Sequence, residues 1–281
     1  MGRAITLAAP AKINLALAIT GTRADGYHDL RSVFARLDLA DEVDVAPHRR
    51  LEVRNTMTVE GEDIAARAVR TLAIAASHEP RAFVRIRKRI PLAAGLGGGS
   101  SDAAAVLRAL ARLWRAEVDL ARVAAEVGSD VPFFAHDLAL ALVEGRGEIV
   151  TALPRPIEPL HIVLVRPTVR LRTADVFAAY DPREHGAAPH VEALASAFRG
   201  ARVTPDFVRI HAENDLVQAA QRRCDAISTW RAAAAARGIA LAMSGSGPTL
   251  FAIADDRADA LRISRILRRA GLRARPQLAA V

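Results

Sequence analysis

The chain has 281 residues, which is enough for one large domain or two ordinary ones. Hydrophobic residues make up 51% and charged residues 25%, so a disordered or fibrous protein is excluded, and no apolar run approaches the roughly 18 residues of a membrane span. The formal net charge of +8 indicates a polyanionic partner or an anionic small substrate, and the single cysteine, Cys224, excludes an internal disulfide and favours a cytoplasmic location.

Periodic apolar residues in the first part of the chain predict a group of strands followed by mixed helices and strands. Strands are expected over residues 5–8, 12–19, 32–39, 42–45 and 83–90. Helices are expected over residues 63–76, 100–114 and 120–127, and Gly128 stops the last of them. A glycine-rich segment therefore lies between a strand and a helix.

Lysine is rare in this chain, since only Lys12 and Lys88 are lysines among 39 basic residues. In the strand over 12–19, Lys12 and Asn14 share one face with small residues, and the opposite face is apolar. Such a face borders either a functional site or solvent, and strand geometry alone leaves both possibilities open. An arginine would serve on an ordinary solvated face, so the two lysines are candidates for a special role, with chance survival as the alternative.

Asp25 and Gly26 mark a turn after the first strands, and Tyr27 and His28 stand near its end. A flat ring beside a hydrogen-bonding imidazole suits a nucleobase. The alternative is a turn aromatic that packs on its own domain, and the sequence alone leaves both open.

Lys88 lies on the apolar face of the strand over 83–90. Its ammonium group needs a bound anion there, or a route along the side chain to water. Both interpretations are open, and the residue stands just before the glycine-rich segment.

The segment from Pro91 to Ala103 contains four glycines within residues 95–99. Glycine lets the backbone turn its N–H groups toward one point, and the following helix adds the positive end of its dipole. This context predicts a phosphate-binding loop, with a flexible hinge capped by Ser100 as the alternative. The segment lacks the Gly-Lys-Ser/Thr ending of a P-loop and the final glycine of a Rossmann turn.

Asp130 follows the helix over 120–127 and precedes Val131, Pro132 and two phenylalanines. The carboxylate could cap a local turn. It could also serve as the general base for a hydroxyl, because phosphoryl transfer needs positioning, charge neutralisation and one proton acceptor.

Three prolines within residues 153–159 predict a domain boundary, which divides the chain into domains 1–154 and 155–281. The second domain is expected to contain strands over 161–165, 239–243, 249–253 and 272–277, and helices over 173–180, 191–198, 215–237 and 258–269. That order is β-α-β-β-α-β, which is typical of a ferredoxin-like fold. The segment 243–248 between two of these strands is either a hairpin turn or a second anion-binding loop.

Together these segments resemble the galactokinase, homoserine kinase, mevalonate kinase and phosphomevalonate kinase (GHMP) superfamily. Its three motifs, a lysine-bearing strand, a Gly-Ser loop and a C-terminal glycine turn, match residues 11–14, 95–101 and 245–247. Within the superfamily, the chain is similar to the family of kinases that act on 4-diphosphocytidyl-2-C-methyl-D-erythritol. That similarity rests on residues 10–15, 25–28, 94–104, 128–134, 145–148, 214–216 and 243–249.

The resemblance implies an α+β protein with the two-domain GHMP kinase architecture. Its N-terminal α/β domain would be like domain 2 of ribosomal protein S5, its C-terminal domain would be ferredoxin-like, and the active site would lie in the cleft between them. The implied reaction moves the γ-phosphoryl group of ATP to the 2-hydroxyl of the methylerythritol unit, in the non-mevalonate route to isoprenoid precursors.

The resemblance also implies roles for individual residues. Asp130 would be the catalytic base and Lys12 its electrostatic partner. Asn14, Tyr27, His28 and Phe177 would bind the substrate, with Tyr27 stacked on the cytosine. The implied ATP-binding residues are Lys88, Pro91, Ala94, Gly95, Leu96, Gly97, Gly98, Gly99, Ser100, Ser101, Gly245 and Ser246. Mg²⁺ would arrive with ATP without a dedicated protein metal site, and neither nucleic acid nor membrane is an expected partner.

The chain shows three departures from the family pattern: Asp63, Ala111, and the pair His136-Asp137, which stands near the place where a Gly-Gly pair usually follows Pro-Phe-Phe. One rival interpretation is a different GHMP kinase acting on homoserine or mevalonate. Another is an RNA-binding protein built on the ferredoxin-like half. Aromatic residues are only 4% of the chain, which disfavours the stacking platforms that such a sheet uses for RNA.

Overall fold

A computed structural model describes residues 4–57, 61–166, 169–200 and 203–280. Its N-terminal part is built on two long antiparallel strands, β1 (Ile5–Thr22) and β2 (His28–Ala46). The sequence predicted four short strands here. The ladder has register shifts at Pro10/Lys12, Asn14/Ala16 and Ile19/Gly21, and these bulges break the apolar alternation without ending the strand.

Strand β2 is the centre of the first sheet, because it pairs with β1 along its length and with other strands at both ends. Near its end it pairs with β4 (Phe83–Arg87), which is parallel to β3 (Glu52–Asn55). Near its start it pairs with β5 (Leu140–Gly145), which continues to β6 (Ile149–Ala152). The sequence analysis missed β3, β5 and β6, and it extended β4 to Ile90, beyond its observed end.

The described residues of the N-terminal part form four helices: α1 (Ile64–Ala75), α2 (Gly98–Trp114), α3 (Leu120–Val127) and α4 (Val131–Ala135). Asp63 begins α1 as its cap, since its carboxylate accepts the N–H of Ala65 at 2.8 Å. Helix α2 packs its apolar stripe of Val106, Leu107 and Leu110 into the core, as the periodicity predicted.

The second sheet has the strand order β10-β7-β9-β8, and every neighbouring pair is antiparallel. Its strands are β7 (Leu160–Val165), β8 (Ala242–Met243), β9 (Leu250–Ala254) and β10 (Ala274–Ala279), with α10 (Arg257–Arg269) between the last two. This order is that of a ferredoxin-like sheet, so the predicted β-α-β-β-α-β arrangement is confirmed.

Helices fill the crossover between β7 and β8. They are α5 (Thr173–Phe177), α6 (Ala188–Arg199), α7 (Pro205–His211), α8 (Val217–Arg223) and α9 (Asp225–Ala235). The single helix predicted over 215–237 is wrong, because the backbone of Cys224 is extended, with φ −152° and ψ 93°. Helix-favouring residues on both sides of Cys224 gave no sign of this break.

The two sheets join where Ala279 of β10 pairs with Leu37 of β2. A second link is the bridge between Leu17 of β1 and Asn214, which lies between α7 and α8. The proline segment connects β6 to β7, and the domain boundary placed there stays a prediction. Within the described ranges, no helix is long and apolar enough to cross a membrane.

Candidate active site

A cavity of about 820 Å³ lies between β1, the glycine-rich segment, α5 and the turn after β8. Its wall contains all but one of the residues that the sequence analysis selected for a site. These are Lys12, Asn14, Tyr27, His28, Lys88, Pro91, Ala94, Gly95, Leu96, Gly97, Gly98, Gly99, Ser100, Asp130, Phe177, Gly245 and Ser246. The exception is Ser101, whose side chain is buried in the first turn of α2 and does not line the cavity.

The glycine-rich segment ends directly in helix α2, which begins at Gly98 and not at Ser100 as predicted. Gly97 precedes it in the left-handed region, with φ 68°, and no side chain caps the helix. The first N–H groups of a helix have no partner within it, and they lie at the positive end of its dipole. Those of Gly98, Gly99 and Ser100 therefore suit an anion in the cavity, and Ser100 is not the cap of the helix that the alternative interpretation expected.

The loop also touches the turn after β8. Gly95 has φ 72°, and a Cβ atom on it would lie 2.5 Å from the carbonyl oxygen of Ser244. The hydroxyl of Ser244 donates to the carbonyl of Gly95 at 2.9 Å and accepts from the N–H of Asn14 at 3.3 Å. Because the contact passes through backbone atoms, only glycine permits this approach at position 95.

Lys12, Asn14 and Asp130 meet at the wall of the cavity. The Lys12 Nζ donates to Asn14 Oδ1 at 2.6 Å and lies 3.4 Å from Asp130 Oδ2. Lys12 and Asn14 are 4% and 2% exposed, so a solvated strand face is excluded. Asn14 is held in turn by Ser32, which accepts from its amide at 2.9 Å.

Asp130 occupies the position before α4 without acting as its cap. Its side chain makes no capping hydrogen bond, so a purely local turn role is wrong. The carboxylate is 28% exposed, in contrast to the buried ammonium group of Lys12 beside it. Asp130 can therefore meet a ligand in the cavity while it stays paired with a cation.

Aromatic side chains form one end of the cavity. The predicted turn is present, since the N–H of Gly26 donates to Arg23 and that of Tyr27 to the carboxylate of Asp25. The His28 ring lies 5.4 Å from the Phe177 ring, which comes from α5 in the other half of the chain. The Tyr27 side chain is more than half exposed. Flat faces and an imidazole thus share one end of the cavity.

Lys88 is buried beneath the glycine-rich segment between two carboxylates. Its Nζ lies 2.5 Å from Asp41 Oδ2 and 2.7 Å from Asp102 Oδ2, and its side chain is 1% exposed. The interpretation that the Lys88 side chain reaches solvent is therefore wrong. Contact with ATP stays a prediction, because Lys88 also lines the cavity. Asp41 accepts in addition from the N–H groups of Arg89 and Ile90, which fixes the chain just before the loop.

The pKa values of Asp102 and Lys88 are both raised, but for different reasons. Burial raises the pKa of the Asp102 carboxyl to about 7, although Lys88 pulls it down. Burial lowers the pKa of Lys88, but the carboxylates of Asp102 and Asp41 outweigh burial and leave it raised. Asp102 Oδ1 has no hydrogen-bond partner among the described residues, which fits a carboxyl that easily takes up a proton.

The sequence analysis missed several residues around the cavity. Thr173 shares a hydrogen bond with Ser246 at 3.0 Å and brings α5 to the turn after β8. Arg146 lies in the turn between β5 and β6 and also lines the cavity. The only signal for Arg146 was its place in a Gly-Arg-Gly-Glu segment, and Thr173 was predicted only as the start of a helix.

Asp137 explains one departure from the family pattern. Its backbone has φ 56°, a left-handed conformation that glycine adopts freely and aspartate tolerates. Its carboxylate lies within 3.0 Å of Arg36 and 2.7 Å of Arg108. These contacts hold the chain after α4 without a glycine.

Two family models match the chain: the N-terminal domain of the GHMP kinases over residues 63–137, and the C-terminal part of the GHMP kinases over residues 207–272. A 4-diphosphocytidyl-2-C-methyl-D-erythritol kinase from an Anaeromyxobacter species is 40% identical, over 92% of this chain and 85% of its own length. The kinase of the same name from Deinococcus radiodurans is 38% identical, over 90% of this chain and 85% of its own length.

Solved structures agree with these matches. A crystal structure of 4-(cytidine 5'-diphospho)-2C-methyl-D-erythritol kinase has a TM-score of 0.79 and 35% identity, and it covers 98% of this chain and 99% of its own. A homoserine kinase from Cytophaga hutchinsonii has a TM-score of 0.73 over 99% of this chain and 95% of its own. At 18% identity, the second likeness concerns the fold alone.

Proposed function

Because the chain belongs to the 4-diphosphocytidyl-2-C-methyl-D-erythritol kinase family of GHMP kinases, we propose that it phosphorylates the 2-hydroxyl of this substrate with ATP. This is a step of the non-mevalonate route to isoprenoid precursors. The α+β GHMP kinase architecture expected from the sequence is confirmed.

One observation supports the chemistry most strongly. Lys12 Nζ lies 3.4 Å from Asp130 Oδ2 in the same cavity as the N-terminus of α2. A proton acceptor, a fixed cation and an anion-binding helix end thus face one space. Phosphoryl transfer requires these three features, because catalysis here depends on positioning and charge stabilisation.

In the proposed reaction, Asp130 accepts the proton of the substrate 2-hydroxyl while the oxygen of that hydroxyl bonds to the γ-phosphorus of ATP. The bond between that phosphorus and the bridging oxygen breaks, and ADP leaves with the electron pair. Lys12 stabilises the negative charge around the transferring group. The N–H groups of Gly98, Gly99 and Ser100 bind the phosphates of ATP, with the dipole of α2 behind them.

We propose that the aromatic end of the cavity binds the cytosine. The exposed Tyr27 ring offers a stacking face, His28 a hydrogen-bonding group, and Phe177 a second wall contributed by α5. Since Phe177 comes from the second half of the chain, base binding would hold the two halves together at the site.

Mg²⁺ is proposed to enter bound to ATP. The described residues contain no group of three or more His, Cys, Asp or Glu suited to a metal ion. Mg²⁺ prefers oxygen ligands, so Ser100 and Asp130, which line the cavity, would hold it together with the phosphate groups of ATP. Mg²⁺ supplies charge neutralisation on the phosphates when bound.

A coupled assay of ADP release tests the proposed function. We expect turnover with ATP, Mg²⁺ and 4-diphosphocytidyl-2-C-methyl-D-erythritol, and no turnover when homoserine, mevalonate or unlinked methylerythritol replaces that substrate. Faster turnover of homoserine or mevalonate would contradict the substrate assignment. Activity that persists after removal of divalent metal would contradict the role of Mg²⁺.

Asp130→Asn tests the base. Removing a general base typically lowers the rate by about 10²- to 10⁴-fold. We expect kcat to fall within that range, while ATP affinity and melting temperature stay near wild type, because the amide keeps the shape of the carboxylate. A kcat within a few-fold of wild type would exclude Asp130 as the base.

A further inference from the structure

Arg146 lies against the face of Tyr27 at the aromatic end of the cavity. Its guanidinium carbon is 4.7 Å from the centre of the Tyr27 ring, and one of its nitrogens is 3.8 Å from the carboxylate of Asp25. Both Arg146 and Tyr27 line the cavity. This distance is that of a cation–π contact, in which the planar guanidinium covers one face of an aromatic ring.

The backbone around Arg146 holds its side chain in this direction. The N–H of Arg146 donates to Glu148 Oε2 at 2.6 Å, and the neighbours Gly145 and Gly147 have φ 72° and φ 127°. A Cβ atom on Gly147 would lie 2.8 Å from the carbonyl oxygen of Ser129, which directly precedes Asp130. The turn that carries Arg146 is therefore packed against the catalytic side of the cavity.

Tyr27 needs such a support. Its side chain is 57% exposed and stands on a turn, where a ring without contacts would sample several rotamers. A ligand that stacks on a mobile ring must first order it, and this ordering weakens binding. With Arg146 on one face, the ring is held, and a stacking base would use the opposite face.

We propose that Arg146 is a positioning residue for the nucleobase of the substrate. It fixes the Tyr27 ring from behind, so that a flat base stacks on the opposite face in the order guanidinium, phenol, base. This inference rests on the proposed function, because it assumes a nucleoside diphosphate-linked substrate at this end of the cavity. This arrangement would favour substrates that carry a planar base, and it would act on substrate binding and not on the phosphoryl transfer step.

A double-mutant cycle between Arg146 and Tyr27 tests the inference. We expect Arg146→Gln to raise KM for the cytidine-linked substrate roughly 3- to 10-fold, in line with a partly exposed cation–π contact. Arg146→Lys keeps a cation near the ring but loses the planar guanidinium, so its rise in KM should be smaller than that of Arg146→Gln without returning to the wild-type value. Neither variant should alter kcat at saturating substrate or KM for ATP. In a Tyr27→Ala background, Arg146→Gln should have no further effect, because the ring it supports is gone.

Arg122→Ala is the matched control, since it removes one arginine charge from the exposed surface of α3, outside the cavity. An equal loss from Arg146→Gln with and without Tyr27 would show direct contact with the substrate and overturn the inference. Equal losses for the Gln and Lys variants, together with a lower melting temperature, would show a structural role only and overturn it as well. If the wild-type enzyme turns over the cytidine-linked substrate and Arg146→Gln leaves KM for it unchanged, this inference alone would be overturned. No wild-type turnover of the cytidine-linked substrate would overturn the proposed function together with it.

Discussion

Both lysines of this chain are buried beside carboxylates, in a protein that otherwise uses arginine for its basic side chains. The surroundings of Lys12 are narrow. A Cβ on Gly97 would lie 3.1 Å from its Cγ, and one on Gly245 would lie 3.6 Å from its Nζ. A compact ammonium group fits there, whereas a planar guanidinium occupies more space and tends to pair with carboxylates through two hydrogen bonds.

Lys12→Arg should therefore impair catalysis even though it preserves the charge. An arginine paired with Asp130 would hold that carboxylate away from the substrate, and a displacement of about 1 Å can lower the rate on the order of 10²-fold. We expect a large loss in single-turnover phosphoryl transfer at saturating substrates, with ATP binding retained. Lys12→Met serves as the charge-removing control, and a melting curve checks folding. A wild-type rate for folded Lys12→Arg would show that charge alone suffices.

Asp102 is expected to make stability depend on pH. Its folded pKa of about 7 lies above the ordinary value of 3.8, so the native state binds more protons than the unfolded state between these values. The contribution of the protonated carboxyl is thus present below about pH 4 and is lost as the pH rises through about 7.

Unfolding free energies of wild type and Asp102→Asn across this range measure the effect. The stability of wild type relative to the variant should fall as the pH rises from about 4 to about 7, because asparagine stays neutral. Asp206→Asn, which removes an exposed carboxyl outside this cluster, is the control. A difference that stays level over the whole range would contradict the raised pKa of Asp102.

Several glycines of the glycine-rich segment are required, for different reasons. Some adopt positive φ values, and others lie too close to neighbouring atoms for a Cβ atom to fit. Gly95 and Gly97 have positive φ values of 72° and 68°. Gly98 is the first residue of α2, and a Cβ there would lie 2.8 Å from Ile90 Cγ2 and 3.2 Å from Lys88 Nζ. By contrast, a Cβ on Gly99 would meet only ordinary contact, at 3.4 Å from Ile64.

Gly98→Val should therefore abolish ATP binding, while Gly99→Ala should retain much of it. The valine side chain cannot fit against Ile90 and Lys88, so the first turn of α2 must move away from the position that binds phosphates. Calorimetric titration with ATP and Mg²⁺ measures the affinities, and circular dichroism checks that both variants fold. Wild-type affinity in folded Gly98→Val would contradict the phosphate-binding role of this turn.

The two halves of the protein are tied together next to the site by Asn214 and Asp215. The Asn214 amide donates to the carbonyls of Met243 and Gly245 at 2.9 and 2.8 Å, which shapes the turn after β8. The Asp215 carboxylate accepts from Ile19 of β1 and from the start of α6. Both side chains are buried and hydrogen-bonded, so this short segment sets the position of Gly245 relative to Lys12 and Asn14.

Asn214→Ala should lower both stability and activity. It leaves the carbonyls of Met243 and Gly245 without a partner, and each unpaired buried group costs about 1–3 kcal/mol. We expect a drop in melting temperature of several degrees and a clear fall in kcat/KM. Asn55→Ala is the control, because its side chain accepts one exposed N–H of Met57. Unchanged kcat/KM in Asn214→Ala would show that the turn after β8 keeps its position without Asn214.

The amino-acid sequence by itself determined the ferredoxin-like order of the second half, the glycine loop between a strand and α2, and the candidates at both ends of the cavity. These features are local, since helix and strand periodicity, glycine clusters and turn residues act over a few neighbouring positions. The same locality explains the errors. Bulges in β1 looked like strand ends, and the extended backbone at Cys224 left no signal in a helix-favouring segment.

Tertiary structure alone decided which candidates meet. Lys12 and Asp130 are distant in sequence, and only the packing of both β1 and α4 against α2 brings them to 3.4 Å. The same holds for Lys88, whose sequence position left solvent and ligand equally open until Asp41 and Asp102 enclosed it. Arg146 could not be assigned to Tyr27 from the chain order, because β5 places its turn beside the start of β2. Contacts between remote segments depend on sheet pairing and core packing, and these are properties of the folded chain as a unit.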